Sequence, residues 1–294
     1  GNNPDGTPNP ELLNYLDVDN LIDYMIQHLY AGPEDWPHHN WYAGRHRSDD
    51  SEGYQFYTWD QEIVLDGRFR DRVTARSKGP ALLFYRLRAN DEFRVRFGDL
   101  VQRHLFNDGA LTVEKAQQSW MRRANQIEKA IIAESARWGD AREGERQRID
   151  TRGPLVTIPV MTIDLWRAER DNVHHNYLPE AHRLAIERFQ RRDLYPEVAT
   201  PRFSQRGGAV PDAFQLQLEA AAGTVYFTTD GSDPRLMGGV VSPTASAYGE
   251  PVILTEDAVV RVRTKVGDQW SAIDEATFEV GVAAANQSNL KITE

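Results

Sequence analysis

The chain has 294 residues, enough for two domains with separate cores, and its 40% hydrophobic and 27% charged side chains are those of an ordinary folded protein. Its net charge of −10 is spread over both parts, since residues 1–199 and 200–294 each hold more acidic than basic side chains; no broad basic face for nucleic acid is expected. The absence of cysteine excludes disulfides, thiolate metal sites and a cysteine nucleophile.

Residues 1–9, opening Gly1-Asn2-Asn3-Pro4-Asp5-Gly6, read as a linker. Leu12, Leu16, Leu21, Met25 and Leu29 recur near helical spacing and predict an amphipathic helix over residues 11–30, with Asp17 and Asp19 as early caps and Gly32-Pro33 as its stop. Residues 40–45 and 54–60 predict two aromatic strands, joined as a hairpin by the polar residues 47–53. A helical stretch from Gly79 to Ala89 restarts at Asp91, where Phe93, Phe97, Leu100, Val101 and Leu105 share a face until Asn107-Asp108-Gly109. The longest predicted helix runs from Thr112 to Trp138, with Ala116, Trp120, Ala124, Ile127 and Ile131 inward; Trp120 and Trp138 are expected in the core. The charged residues 140–150 predict a solvated loop, and a last helix is expected over residues 179–192.

From Pro201 the pattern changes to short alternating strands: residues 214–220, 223–228, 252–254, 259–264 and 276–280, separated by turns such as Asp230-Gly231-Ser232-Asp233-Pro234. The predicted fold class is α+β and multidomain, a mainly helical lobe with a β-hairpin plus an antiparallel β-sandwich. No apolar run reaches the length of a membrane span.

One constellation stands out for chemistry. Asp35 and Asn40 form an Asp-x-x-x-x-Asn pair just after the first helix, and Asp60 follows at the end of the second hairpin strand. Protein kinases place an Asp and an Asn at this separation in the catalytic loop, with a metal-binding Asp on the hairpin that follows. One carboxylate takes the proton of the incoming hydroxyl, while the amide and second carboxylate are the hard oxygen donors that Mg²⁺ requires. Glu62 lies two residues past Asp60, on the same side of a strand, and can share a metal. The plain alternative is that Asp35 caps a turn and Asn40 pairs with backbone.

Residues 17–62, including Asp35-Trp36-Pro37-His38-His39-Asn40-Trp41-Tyr42 and Phe56-Tyr57-Thr58-Trp59-Asp60, resemble the CotH family of atypical protein kinases. Further likeness lies in Leu82-Leu83-Phe84, Asn90-Asp91-Glu92-Phe93, residues 134–140 and Leu194-Tyr195-Pro196, so a kinase-like C-terminal lobe is expected over residues 10–197. The resemblance implies ATP and Mg²⁺ as cofactors, a protein phosphoacceptor, Asp35 as catalytic base, Asn40 and Asp60 as the metal- and nucleotide-binding pair, and Glu62 as a further metal ligand. It departs from most kinases at Pro33-Glu34, where they have His-Arg, and at Gln61-Glu62, where they have Phe-Gly. Nothing before residue 11 supplies a Gly-rich loop or phosphate-gripping lysine, so the chain alone is expected to be catalytically poor.

Gly223 through Pro234, with Arg261-Val262-Arg263 and Trp270-Ser271, resembles the chitobiase/β-hexosaminidase C-terminal module, also described as fibronectin-III-associated, over residues 200–281. That likeness implies an extracellular or cell-surface setting and a glycan as possible partner. Asp230 and Asp233 read as turn caps, with Ca²⁺ as the minor alternative, and sugar binding would require an exposed aromatic such as Trp270. Residues 282–294 are a linker or the start of a further domain. His38-His39 and His174-His175 lack metal-ligand spacing and read as surface or network residues. The rival to a kinase is a non-catalytic surface or carbohydrate-binding scaffold.

Overall fold

The computed structural model describes residues 9, 11, 14–48, 51–65, 69–141, 143–146 and 156–281. Most of the expected linker at residues 1–9, Leu12, and the segment 282–294 lie outside them. The fold is α+β, helical toward the N-terminus and strand-rich toward the C-terminus. Among the described residues one compact unit holds 14–89 and 103–191, and the other holds 90–102 and 192–281.

The first unit begins with α1 (Val18–Ala31). It starts later than the leucine spacing predicts, because the Asp17 carboxylate accepts from Asn20 N at 2.9 Å and fixes the N-cap there. Leu16 instead forms a parallel bridge with Tyr54. The residue before Tyr54 must be glycine: Gly53 has φ 108°, and a Cβ on it would meet the Leu16 backbone at 2.4 Å. Leu21, Ile22, Met25, Ile26 and Leu29 make the buried stripe of α1, and Gly32 closes it in the left-handed conformation with its N–H on the His28 carbonyl.

Strands β1 (Trp41–Gly44) and β2 (Gln55–Thr58) form the expected antiparallel hairpin, pairing Trp41 with Thr58 and Tyr42 with Tyr57. Helix α1 pins it through side chains: Asn20 accepts from Phe56 N at 2.6 Å, and Gln55 donates to Asp17 at 2.9 Å. Beyond it come α2 (Gly79–Leu87) and α4 (Val113–Trp138), the latter capped by Thr112; α3 (Asp91–Leu105), between them in sequence, belongs for most of its length to the other unit. The stretch expected to be only a loop contains β3 (Gly144–Arg146), paired antiparallel with β4 (Val156–Ile158).

Helix α5 (Ile163–Asn172) was not expected from sequence; it runs through a π-helical turn, Val173–Tyr177, into α6 (Leu178–Gln190). Helix α4 packs along α5 and α6, with Ala124 buried and the Trp120 indole donating to the Arg170 carbonyl at 2.9 Å. Two expectations for α4 fail. Ile127 is 48% exposed and Trp138 is 54% exposed, the latter beneath the Arg137 guanidinium rather than in the core. A 26-residue helix outruns the shorter helix beside it, so its apolar stripe is only partly covered.

The second unit contains strands β5 (Arg202–Phe203), β6 (Gly208–Val210), β7 (Phe214–Leu216), β8 (Leu218–Glu219), β9 (Thr224–Thr228), β10 (Ser246–Ala247), β11 (Val252–Leu254), β12 (Ala258–Val266), β13 (Gln269–Trp270) and β14 (Asp274–Val280). The main sheet runs β10-β9-β12-β14-β6, with β13 also on β12; β7 pairs β11 and β5 pairs β8. Pairing is antiparallel except where β14 meets β6 in parallel. Val210, Leu216, Leu254, Val260, Val262 and Phe278 form the sandwich core, on alternating strand positions.

Within this unit Arg263, 0% exposed, donates to both Asp99 oxygens at 2.8 and 2.7 Å, to both Asp233 oxygens at 2.7 Å, and to the Ser271 carbonyl. Arg235 forms a second two-bonded pair with Glu92, whose carboxyl the hydrogen bond from Arg235 holds below the usual range. A buried guanidinium is tolerable only with this degree of pairing.

Candidate functional site

The loop after α1 carries Asp35, and it is anchored from below. Trp36 is fully buried, and its indole donates to the Tyr24 hydroxyl at 2.8 Å. Tyr24 in turn lies against His28, with ring centroids 3.9 Å apart. Burial raises the Tyr24 hydroxyl above its ordinary value and lowers His28 to about 4, so the imidazole is neutral. Trp36 is thus a core residue. Trp41 is half-buried against Phe56, and Tyr42 is exposed.

Above this support three sequence-predicted residues come together. The Asn40 amide nitrogen donates to Asp35 Oδ2 at 2.5 Å and to the Asp60 carbonyl at 3.2 Å. A carboxylate and a carbonyl only accept, so these two bonds fix the orientation of the Asn40 amide and leave its oxygen without a donor among the described residues. Asn40 and Asp60 both sit at positive φ, 60° and 52°, a conformation that costs non-glycine residues energy and recurs at functional sites. Asp35 Oδ1 is buried without a hydrogen-bond partner among the described residues. An orphaned buried carboxylate oxygen is an acceptor awaiting a cation or a donor.

The Asp60 and Glu62 side chains are exposed and bond to no protein group among the described residues. Glu62 is not drawn to the Asp35–Asn40 pair by any contact. Among the described residues no three His, Asp or Glu side chains converge as a metal cluster; the groups that meet here are the Asp35 carboxylate, the Asn40 amide and the Asp60 backbone carbonyl. Hard oxygen donors of that kind suit Mg²⁺.

Sequence reasoning missed three features here. Tyr42 and Tyr57 stack on the outer face of the hairpin, centroids 5.1 Å apart, with the 62%-exposed Trp59 edge-on to Tyr42; strand alternation already carried that signal. The Tyr24–His28–Trp36 support left no motif. Nor did a pair of arginines from the segment after Asp60: Arg72 donates to the Pro33 carbonyl at 2.8 Å and to the Glu34 carbonyl, and Arg70 is paired with Glu34.

The other candidates lie elsewhere. His38 and His39 are exposed, with rings 4.5 Å apart. His175 is exposed and bonds the Asp171 carbonyl, and the His174 carbonyl accepts from Gln117. Asp230 accepts from the Ser232 amide and hydroxyl, and Asp233 from the Arg235 amide, as turn caps do. Trp270 is 8% exposed, with its indole on the Gly239 carbonyl, so it is no platform for a sugar.

A family model described as CotH kinase protein matches residues 2–154, just over half of the chain. The chain belongs to the CotH kinase family. No curated protein and no solved structure matches it. The CotH match contains Asp35, Asn40, Asp60 and Glu62, together with the hairpin and the α1 helix that position them. It ends before α5 and the sandwich, so the module formed by residues 200–281 is described by its fold alone. No helix among the described residues is long and apolar enough to cross a membrane.

Proposed function

We propose that the chain contributes the catalytic loop and metal-binding hairpin of an ATP- and Mg²⁺-dependent protein kinase of the CotH type. The observation that carries this reading is that, among the described residues, the buried Asp35 Oδ1 has no partner and lies beside the Asn40 amide, which bonds Asp35 Oδ2 and also holds the Asp60 backbone. Asn40 and Asp60 would hold Mg²⁺, with Glu62 as an added ligand at the exposed rim; Asp35 would accept the proton of the acceptor hydroxyl. Bound Mg²⁺ neutralises charge on the nucleotide phosphates. The protein's own part is positional. Asn40 holds the Asp35 carboxylate in one rotamer, and the buried Trp36 fixes the backbone one residue later.

The phosphoacceptor is proposed to be a protein hydroxyl, and the setting extracellular or at the cell surface. The sandwich is proposed to be a chitobiase/β-hexosaminidase C-terminal or fibronectin-III-like accessory module. Its burial of Trp270 argues against glycan binding there. Residues 1–294 carry no Gly-rich phosphate loop, so this chain alone is expected to transfer phosphate weakly. The test is Mg²⁺-dependent ATP binding, by calorimetry, in this chain and in the longest native chain containing it. Asp60→Asn should abolish the Mg²⁺ dependence. ATP binding that is indifferent to Mg²⁺ and to Asp60→Asn would refute the kinase reading and leave the scaffold.

A further inference from the structure

In the protein-kinase pattern an arginine precedes the catalytic-loop aspartate, and phosphorylation of the segment after the metal-binding aspartate orders that segment by pairing phosphate with arginine. This chain has the charges reversed. Glu34 precedes Asp35, and the cations, Arg70 and Arg72, come from the segment after Asp60. Arg70 and Glu34 form an ion pair whose side chains are only 13% and 12% exposed. Arg70 also reaches the Gly32 carbonyl, at 3.4 Å, and Arg72 takes the carbonyls of Pro33 and Glu34.

The loop Gly32–Glu34 follows the C-terminal end of α1, where unpaired carbonyls carry partial negative charge. Two guanidinium groups satisfy three successive carbonyls there, and the Glu34 amide is in turn donated to the Ile63 carbonyl at 3.1 Å. The arginines are themselves fixed. Arg188 on α6 donates to the carbonyls of Phe69 and Arg70, Val73 is 1% exposed, and Arg88 donates to the Val73 carbonyl at 3.0 Å. Every residue adjoining Asp35 on its N-terminal side is therefore held by a fixed cation.

We propose that Arg70 and Arg72 are positioning residues for Asp35, and that their standing bonds to Gly32, Pro33 and Glu34 set the catalytic loop without phosphorylation. This rests on the kinase reading of Asp35, since a loop with no chemistry needs no such setting. Both hydroxyls on the clamp segment, Thr74 and Ser77, are then dispensable as modification sites.

The experiment uses the longest native chain containing these residues, assayed for phosphotransfer with Mg²⁺ and ATP and, independently, for amide hydrogen exchange over residues 32–36. Glu34→Gln, Arg70→Gln and Arg72→Gln should each lower kcat about 100-fold with KM for ATP little changed, and raise exchange at the Glu34 amide. Arg70→Lys, which keeps the charge and the fold, should fall between. The double exchange Glu34→Arg with Arg70→Glu should recover part of the lost kcat and protection, since it restores the ion pair but not the donor to the Gly32 carbonyl. Phosphatase treatment and Thr74→Ala/Ser77→Ala should leave the rate unchanged.

Single variants within about twofold of the parent in kcat, a double exchange no better than its single components, or a rate that requires phosphate on Thr74 or Ser77 would each overturn the proposal. Full activity in Asp60→Asn would instead remove the kinase reading, whatever the exchange data show. The two failures are thereby separable.

Discussion

Acid should loosen the helical unit through His28. The side chain is 1% exposed; its Nδ1 donates to the Tyr24 carbonyl at 2.8 Å, and Nε2 is buried without a partner among the described residues. A proton added at Nε2 would be an unpaired charge between the rings of Tyr24 and Trp36, whose centroids lie 3.9 and 5.0 Å away. Burial therefore lowers His28 from 6.5 to about 4, against a smaller opposing effect of the Tyr24 carbonyl. The unfolded chain takes up this proton near pH 6.5, whereas the folded chain refuses it until about pH 4. Stability contributed by the neutral ring is thus complete above 6.5, falls as the pH drops through this window, and levels off below 4. At about 1.4 kcal/mol per pH unit the loss is about 3 kcal/mol.

Urea unfolding, followed by helical circular dichroism across this range, reads that loss directly. His28→Phe keeps a ring in place and removes the titration, so its stability should be nearly flat over the same interval. An identical decline in His28→Phe, or an imidazole resonance of His28 that titrates near 6.5, would refute the reasoning.

Three structural predictions accompany it. Arg263→Met strands the 5%-exposed Asp99 and should cost about 3–5 kcal/mol, read as a drop of two or more powers of ten in amide protection on β12, while Arg263→Met/Asp99→Leu should recover most of it; a single variant as protected as the parent counts against the pair. Asp17→Ala removes both the α1 cap and the acceptor of Gln55, and should cost roughly 1–2 kcal/mol in urea denaturation; no change would show the cap to be idle. Gly53→Ala drives a methyl into the Leu16 backbone at a φ that alanine disfavours, and should cost roughly 2 kcal/mol or more; an unaltered midpoint would contradict the close approach.

What the sequence revealed depended on whether a signal was local and periodic. The stripes of α1 and α3 and the alternation of β9, β12 and β14 are such signals; α3 and these strands lie where expected, and α1 ends where expected but starts later. Helix α5 has no buried side chain, so no stripe announces it. Strands β5, β10 and β13 are two residues long, below the reach of any alternation. Leu12 and Leu16 extended the α1 pattern too early because spacing cannot see the Asp17 cap compete with it. The Asp35–Asn40 pair was legible because its members are only five positions apart. Arg70 and Arg72 reach back 36 to 39 residues to the same loop, and no periodicity spans that interval.

On the proposed kinase reading, the two kinds of residue at the site face opposite requirements. A metal-holding carboxylate must stay open to solvent and cofactor, and Asp60 and Glu62 are exposed and bound to no protein group among the described residues. A proton-accepting carboxylate must be held in one place, and Asp35 is tied to Asn40, flanked by buried Trp36, and preceded by carbonyls that two arginines grip. Strain enters where the two meet: Asn40 and Asp60, the residues that join the fixed loop to the open hairpin end, are both at positive φ. Asn and Asp are the non-glycine residues that tolerate this conformation best, and the bond from the Asn40 amide to the Asp60 carbonyl at 3.2 Å ties the two together across the 20 positions between them.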